Sequence, residues 1–381
     1  MDNLMISADD HIDLGYLPKN MWLERLPQSL HDKAPHVEDR GEQGDYWICD
    51  GQPWGDWRGG AWYSRKRRPI TALDRGGVGK DFAPLRPTTA ELRLEDMDRD
   101  GVEASVMFPP IFGMTFKDRE LKIACVQAYN DWAADFAKAA PSRLLPVAQI
   151  FPDDVEASTQ EVTRIAKLGL RQVSCLVGSV PQEMYLEPWD PFWSAAEEAG
   201  VVVSYHVGGG GGLSLAAAGP RDEPETQGGR KRAFGMGLGN GATSFYVPFV
   251  DLFTFGVLER HPRLRFVLAE SGTGWIPFVV QEMDYRVEQV LERQSPEGFP
   301  LKRKPSEVFR EQVWATYQQD LVGLNLVDFF GGGHMMWASD YPHPDSTWPF
   351  SRQVIERETA HLSPAVKEKI VRENAKVFYN L

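Results

Sequence analysis

Cysteine is scarce in this chain: three among 381 residues, at Cys49, Cys125 and Cys175. They lie too far apart for a clustered thiolate metal motif. Their odd number argues against a disulfide framework, so a reducing, cytoplasmic setting is expected. Long apolar runs are also missing. None approaches the ~20 residues of a membrane span, and Met1 to Ile6 is too short for the apolar core of a secretion signal. An excess of positive charge is absent as well. Lys and Arg number 41 against 54 Asp and Glu, for a net charge of −13, which makes nucleic acid and anionic membrane poor partners. The plain meaning of that charge is solubility. A phosphate loop is lacking too: Gly208–Gly212 has the glycines but no strand–GxxxxGK–helix context.

What the chain does have is a set of short apolar runs that end in a carboxylate or an imidazole. Ile6-Ser7-Ala8 leads into Asp9-Asp10-His11, and Val201–Tyr205 into His206. Phe266–Ala269 leads into Glu270, and Met335–Ser339 into Asp340 and His343. Eight strand-like runs can be read: Leu4–Ala8, Ala104–Phe108, Leu144–Ile150, Leu170–Val177, Val201–Tyr205, Arg265–Ala269, Val313–Tyr317 and Met335–Ser339. Helical patterns separate them, among them Arg119–Ala139, Val155–Leu168, Pro191–Ala199, Trp275–Leu291 and Ser363–Tyr379. Strands alternating with helices imply parallel pairing through right-handed crossovers. The expected architecture is an α/β fold, a (β/α)₈ TIM barrel forming one domain over residues 1–381. In such barrels the active site is built from the C-terminal ends of the strands.

Two stretches break the alternation. Residues 18–89 are rich in Trp, Gly and Arg, and Asp50-Gly51 within them reads as a hairpin turn. Residues 207–241 are glycine-rich and carry Arg221, Arg230, Lys231 and Arg232. They are expected to be insertions in the first and fifth βα loops, emerging on the catalytic face as lids or as subunit contacts. As lids, their Trp62, Trp47, Trp54 and Trp57 would wall a pocket. Arg68, Arg230 and Arg232 would pair with an anionic, carboxylated substrate.

Asp9 and His11 are two residues apart, so in a strand both side chains share a face and can share one metal. His206 ends a valine run, where a satisfied core histidine is the plain alternative to a ligand. Asp340 can ligate and also move a proton. Glu270 can be a ligand or a general acid/base, or it can simply cap the following helix. His343 is open between a supporting contact, a substrate contact and a ligand of a second ion. Imidazole and carboxylate donors suit zinc, manganese or iron, so the expected cofactor is one or two divalent ions held by Asp9, His11, His206, Asp340 and Glu270. Asp340, Glu270 and His343 are the expected catalytic groups. His261 and His334 precede their strands and belong to the opposite face.

At these residues the chain resembles the amidohydrolase-related TIM-barrel enzymes, in the branch of aminocarboxymuconate semialdehyde decarboxylase and the dihydroxybenzoate decarboxylases. The resemblance rests on Ser7–His11, Phe255–Leu264, Leu268–Pro277, Ala338–His343 and Asn374–Tyr379. It implies a carboxylate-x-histidine metal motif at Asp9 and His11, a fifth-strand ligand at His206 and an eighth-strand aspartate at Asp340. One departure stands out: decarboxylases of this branch usually carry a catalytic histidine where this chain has Glu270. The resemblance implies a metal-dependent decarboxylase or hydrolase acting on a small carboxylated molecule. A dinuclear iron or manganese oxygenase and a metal-retaining partner subunit are the alternatives. Homo-oligomers are expected, with hetero-oligomers as the variant.

Overall fold

Near-continuous apolar runs suit strands covered on both faces, and that is how they are used. The computed structural model describes residues 4–39, 45–56, 89–110, 114, 116–208, 243–293, 301–330, 332–343 and 346–381. Strand β1 (Met5–His11) is buried at all seven positions. It pairs in parallel with β5 (Val102–Phe108), which pairs in parallel with β6 (Leu144–Pro146). A second parallel sheet runs β7 (Ala148–Gln149), β8 (Gln172–Leu176), β9 (Val202–His206), β10 (Phe266–Ala269), β11 (Val313–Tyr317) and β12 (Met335–Trp337). Only Val147 separates β6 from β7, and its N–H donates to the Met107 carbonyl at 2.8 Å. Past the end of β12, the Asp340 N–H donates to the Asp9 carbonyl (2.9 Å). The His11 N–H donates to the Tyr341 carbonyl (2.8 Å).

Alternation along the strands sorts the core into two layers. Ile6, Val106, Val147, Val202, Val267 and Met336 form one apolar cluster, closed off by Phe378 and Tyr379 of the helix Asn374–Tyr379. Their strand neighbours, such as Met107, Val173, Val203 and Leu268, belong to the larger cluster that faces the helices. Local chemistry sets the helix limits. Asp118 and Asp154 accept from the Leu121 and Ala157 N–H groups and cap the helices Arg119–Ala137 and Val155–Lys167. Gly200 ends Asp190–Ala199 at φ +66°, where a side chain would be strained.

Part of the stretch 18–89 folds into a small antiparallel sheet, β2 (His36–Asp39), β3 (Asp45–Cys49) and β4 (Gln52–Asp56). Asp50 and Gly51 both have positive φ, 47° and 66°, as the hairpin reading requires. Trp47 and Trp54 do not wall a pocket. Both are buried edge-on against Trp22, with ring centroids 5.0 and 5.6 Å away, because three indoles side by side fill a core gap better than a wet wall. Trp62, Arg68, Arg230 and Arg232 lie outside the described residues. So does nearly all of 207–241.

Candidate metal centre

β1, β9, β10 and β12 run in parallel, so their C-terminal ends meet on one side and deliver their last side chains together. His11 Nε2 lies 3.0 Å from Asp340 Oδ1 and 3.8 Å from Asp9 Oδ1. His206 Nε2 lies 3.4 Å from Asp9 Oδ1 and 3.5 Å from Glu270 Oε2. Asp9, His11, His206 and Asp340 are essentially without solvent exposure, whereas the Glu270 side chain is 20% exposed. Glu270 therefore reaches the open side of the cluster.

Two of these residues leave their strands through a strained turn. Glu270 and Asp340 have φ of 53° and 61°, the left-handed region that costs a residue with a β-carbon ~1–3 kcal/mol. That turn lets the Asp340 N–H bond back to β1. Such strain persists where the surroundings over-determine the geometry, and it gathers at functional sites.

The neighbours hold each donor atom in place. The His206 Nδ1–H donates to the Val207 carbonyl (2.8 Å), which leaves the Nε2 lone pair facing the cluster. The Thr316 hydroxyl, on β11, donates to Asp9 Oδ2 (3.0 Å) and accepts from the Glu270 N–H (2.8 Å). Asp9 Oδ1 is thereby turned inward. Asp10, buried between two donor residues, accepts from the Ser7 and Ser339 hydroxyls (2.8 and 2.6 Å), the Tyr341 N–H (3.0 Å) and the Ser105 hydroxyl. The buried Arg93 donates to the His11 carbonyl (3.0 Å). His343 stacks on His11, ring centroids 3.8 Å apart, and its nitrogens lie 3.0 Å from Asp340 Oδ1 and from Asp13 Oδ2.

Electrostatics follow from burial and crowding. Burial, together with the His343 and His206 rings, pushes the His11 pKa well below its ordinary value, so His11 is the neutral form that a metal ligand must be. Burial works against a charged His206, but Asp9 and Glu270 outweigh it and raise its pKa. Burial also opposes charge on His343, and Asp340 and Asp13 overcome it. Glu270 is raised well above the usual carboxylate range by burial and by the negative Asp340, with His206 partly opposing.

The residues present fit a divalent ion. Asp9 Oδ1, His11 Nε2, His206 Nε2 and Glu270 Oε2 are buried and have no hydrogen-bond partner among the described residues. A buried polar atom left in that state is costly. Donor atoms of Asp9, His11 and His206 lie within 4.8 Å of one another, as do those of His11, Glu270, Asp340 and His343. A cation within the first set would satisfy the orphaned atoms of Asp9, His11 and His206, with Glu270 Oε2 belonging to the second set, and these mixed oxygen and imidazole donors suit manganese, iron or zinc.

The structure thus brings together Asp9, His11, His206, Glu270, Asp340 and His343, and it supplies three residues the sequence reading passed over. Asp13 carried a signal, since Asp9, His11 and Asp13 alternate. Thr316 is the penultimate residue of β11, near the strand end on the same side as the ligands. Asp10 alternates with Asp9 and His11, and its side chain faces Ser7, Ser339 and Tyr341 instead of the cluster. The His334 Nδ1–H donates to the Val313 carbonyl at 2.8 Å and His261 lies by Asp190, both before their strands, as expected.

The chain is similar in sequence and in fold to known proteins. The chain is 26% identical over 316 residues to a gamma-resorcylate decarboxylase from Rhodococcus jostii, spanning 76% of this chain and 87% of the relative. Its fold matches an amidohydrolase from Mycobacterium avium subsp. paratuberculosis with a TM-score of 0.74 at 19% identity, over 100% and 99% of the two chains. It also matches a manganese-bound 5-carboxyvanillate decarboxylase from Novosphingobium aromaticivorans, with a TM-score of 0.60 at 19% identity over 76% and 80%. The Amidohydrolase family profile covers residues 80–381, and with the site assembled at the ends of its parallel strands, this chain belongs to the amidohydrolase family.

Proposed function

We propose that this protein is a metal-dependent decarboxylase that removes CO₂ from a small carboxylated aromatic molecule. The observation that carries the proposal is the convergence of buried, orphaned donor atoms from Asp9, His11, His206 and Glu270 beside Asp340. Support comes from the relatives, which are decarboxylases of hydroxylated benzoates. The same chemistry motivates reading the two parallel sheets as one eight-stranded barrel, joined through the Val147 link and the β1–Asp340 bonds.

Asp9, His11, His206 and Asp340 would hold the ion, with Glu270 at its open edge. When bound, the ion supplies a fixed positive charge and Lewis acidity toward the substrate's carboxylate and neighbouring oxygen. The residues of the chain do the rest. Glu270, the partly exposed member, faces the substrate and moves the proton. The bond between ring carbon and carboxylate breaks, its electron pair stays on the ring carbon, and the Glu270 proton ends there as CO₂ leaves. Asp340 shares its Oδ1 with His343, which Asp13 holds from the other side, so the pair fixes the Asp340 orientation. Arg68, Arg230, Arg232 and Trp62 remain the proposed contacts of the anionic substrate, on their composition and place in the sequence alone.

Hydrolysis is the second reading, favoured by one observation: Glu270 stands where the resembled decarboxylases use histidine, and a carboxylate there can take a proton from water. The dinuclear oxygenase alternative gains nothing from the relatives compared. The three free, buried cysteines support the cytoplasmic placement. Exposed Phe278, Leu321 and Val322 support a homo-oligomer. No helix among the described residues is long and apolar enough to cross a membrane.

The test is incubation of manganese-loaded protein with 2,6-dihydroxybenzoate and 5-carboxyvanillate in D₂O. CO₂ release with deuterium at the vacated ring carbon supports the proposal. Full metal occupancy with hydrolysis of esters or lactones, and no CO₂ from any hydroxybenzoate, would replace it by the second reading.

A further inference from the structure

β1 delivers three polar side chains in a row at its C-terminal end, and only two of them face the metal centre. Asp9 and His11 point inward, whereas Asp10 lies on the side packed against the helices, opposite Met107 of β5. The pairing of β1 with β5 slips between Ser7 and Asp10. A slip of that kind re-aims side chains, and here the Ser7 hydroxyl comes within 2.8 Å of Asp10, three residues on. Asp10 is 2% exposed. A carboxylate buried that deeply is costly unless donors surround it. Donors from β1, β5, the turn after β12 and the helix Ala90–Asp100 do so.

The position of those donors gives Asp10 a role. Its Oδ1 accepts from the Ser339 hydroxyl (2.6 Å) and from the Tyr341 N–H (3.0 Å). These two residues flank Asp340, which holds φ at 61° between them. A strained residue persists only where its surroundings over-determine it, and one carboxylate oxygen grips both sides of this one. The Ser339 N–H adds a bond to the Ser7 hydroxyl oxygen at 2.8 Å. On its other oxygen, Asp10 accepts from the Ser105 hydroxyl and faces Arg93 Nη2 at 3.8 Å. Arg93, itself without solvent exposure, donates to the carbonyls of His11 (3.0 Å) and Tyr341 (3.4 Å). The segments that carry His11 and Asp340 are therefore tied to one buried Asp10–Arg93 pair, and neither member of the pair belongs to the donor cluster.

We propose that Asp10 is a positioning residue of the metal centre: it clamps the strained turn of Asp340 against β1 and so sets the 3.0 Å approach of Asp340 Oδ1 to His11 Nε2. The inference rests on the reading of that cluster as a metal site, but not on the reaction assigned to it. Groups behind a ligand that fix its orientation contribute about ten- to a hundredfold in metal affinity.

The test is manganese affinity, titrated calorimetrically into the chelator-treated full chain well below its melting temperature. The electron paramagnetic resonance spectrum of the bound ion is the second readout. Asp10→Ala deletes the clamp and should weaken binding about tenfold or more and alter the spectrum. Asp10→Asn is the conservative variant. Its oxygen still accepts from Ser339 and Tyr341 while its amide donates to the Ser105 oxygen, so affinity should return to near the wild-type value. A role in folding alone would lower the melting temperature and leave affinity and spectrum of the folded protein unchanged. Ser339→Ala removes one arm of the clamp and keeps the Asp10–Arg93 pair, so it decides the matter if Asp10→Ala does not fold: weaker binding is again expected. Wild-type affinity in the folded variants would overturn the proposal, and so would Asp10→Asn binding as weakly as Asp10→Ala. Absence of manganese binding by the wild type would instead overturn the metal-site reading, and the positioning role with it.

Discussion

At the scale of single residues, the clearest division is between donors that are sealed in and the one that is reached. His206 is buried, tautomer-fixed by Val207 and aimed at Asp9. Replacing it by Ala should lower bound metal by at least about tenfold, measured by elemental analysis after dialysis against a buffered ion. Wild-type metal content in that variant would remove His206 from the ligand set. Glu270 is the partly exposed member, so Glu270→Gln preserves its shape while removing the movable proton. Turnover should fall by about 10²-fold or more with little change in melting temperature. Undiminished turnover would return Glu270 to a structural part.

Elements act through the contacts that link one strand end to another. Thr316 on β11 connects Asp9 on β1 to the Glu270 backbone. Thr316→Val keeps the volume and deletes the hydroxyl, freeing Asp9 to rotate. Metal affinity should drop by roughly tenfold to a hundredfold, and Thr316→Ser should restore it. If Thr316→Val binds metal as tightly as wild type, the orientation of Asp9 is set elsewhere. The helix Ala90–Asp100 is tied to the helix Ser351–Glu358 in a comparable way, with Asp100 accepting from the Ser351 N–H and hydroxyl. Burial pushes the Asp100 pKa up to about 6, with those bonds partly opposing. A carboxyl raised in the folded state binds its proton more tightly there than in the unfolded chain. Stability from this group is therefore present below pH ~4 and lost as pH rises through about 6. Asp100→Asn should remove that dependence. Its stability relative to wild type should improve by about 3 kcal/mol between pH 4 and pH 7, as an order of magnitude, read from denaturant unfolding at each pH. A difference that stays flat with pH would show that Asp100 does not titrate in this range.

For the whole molecule, the metal centre draws on β1, β9 and the turn after β12, segments more than a hundred residues apart in sequence. An ion held there cross-links the two ends of the chain, and anything that binds only the folded form stabilises it, by ~2.7 kcal/mol at a hundred times its Kd. Chelation should lower the melting temperature and manganese should restore it. An unchanged melting temperature with the metal verifiably removed would mean the donors do not bridge those segments.

Much of this was legible in the sequence. Each of the eight apolar runs lies within a few residues of a parallel strand, with Leu144–Ile150 divided into β6 and β7 at Val147, and Val313–Tyr317 coincides with β11. A run covered on both faces must be apolar throughout, and the residue that ends it meets solvent or a site, so composition alone marks both the strand and its terminal donor. The Asp50-Gly51 turn was readable for a similar local reason, since two positive φ values favour those residues. Tertiary structure decided what local pattern cannot carry. Trp47 and Trp54 turned from candidate pocket walls into core because Trp22, distant in sequence, lies between them. Thr316 and Asp13 gained their roles only when β11 and the turn after β1 came beside Asp9 and His343. Glu270 shows the division most plainly. Its charge and strand-end position are written in the sequence, whereas its exposure, its distance from His206 and its raised pKa come from how deeply the fold buries it and which other charges it places beside it.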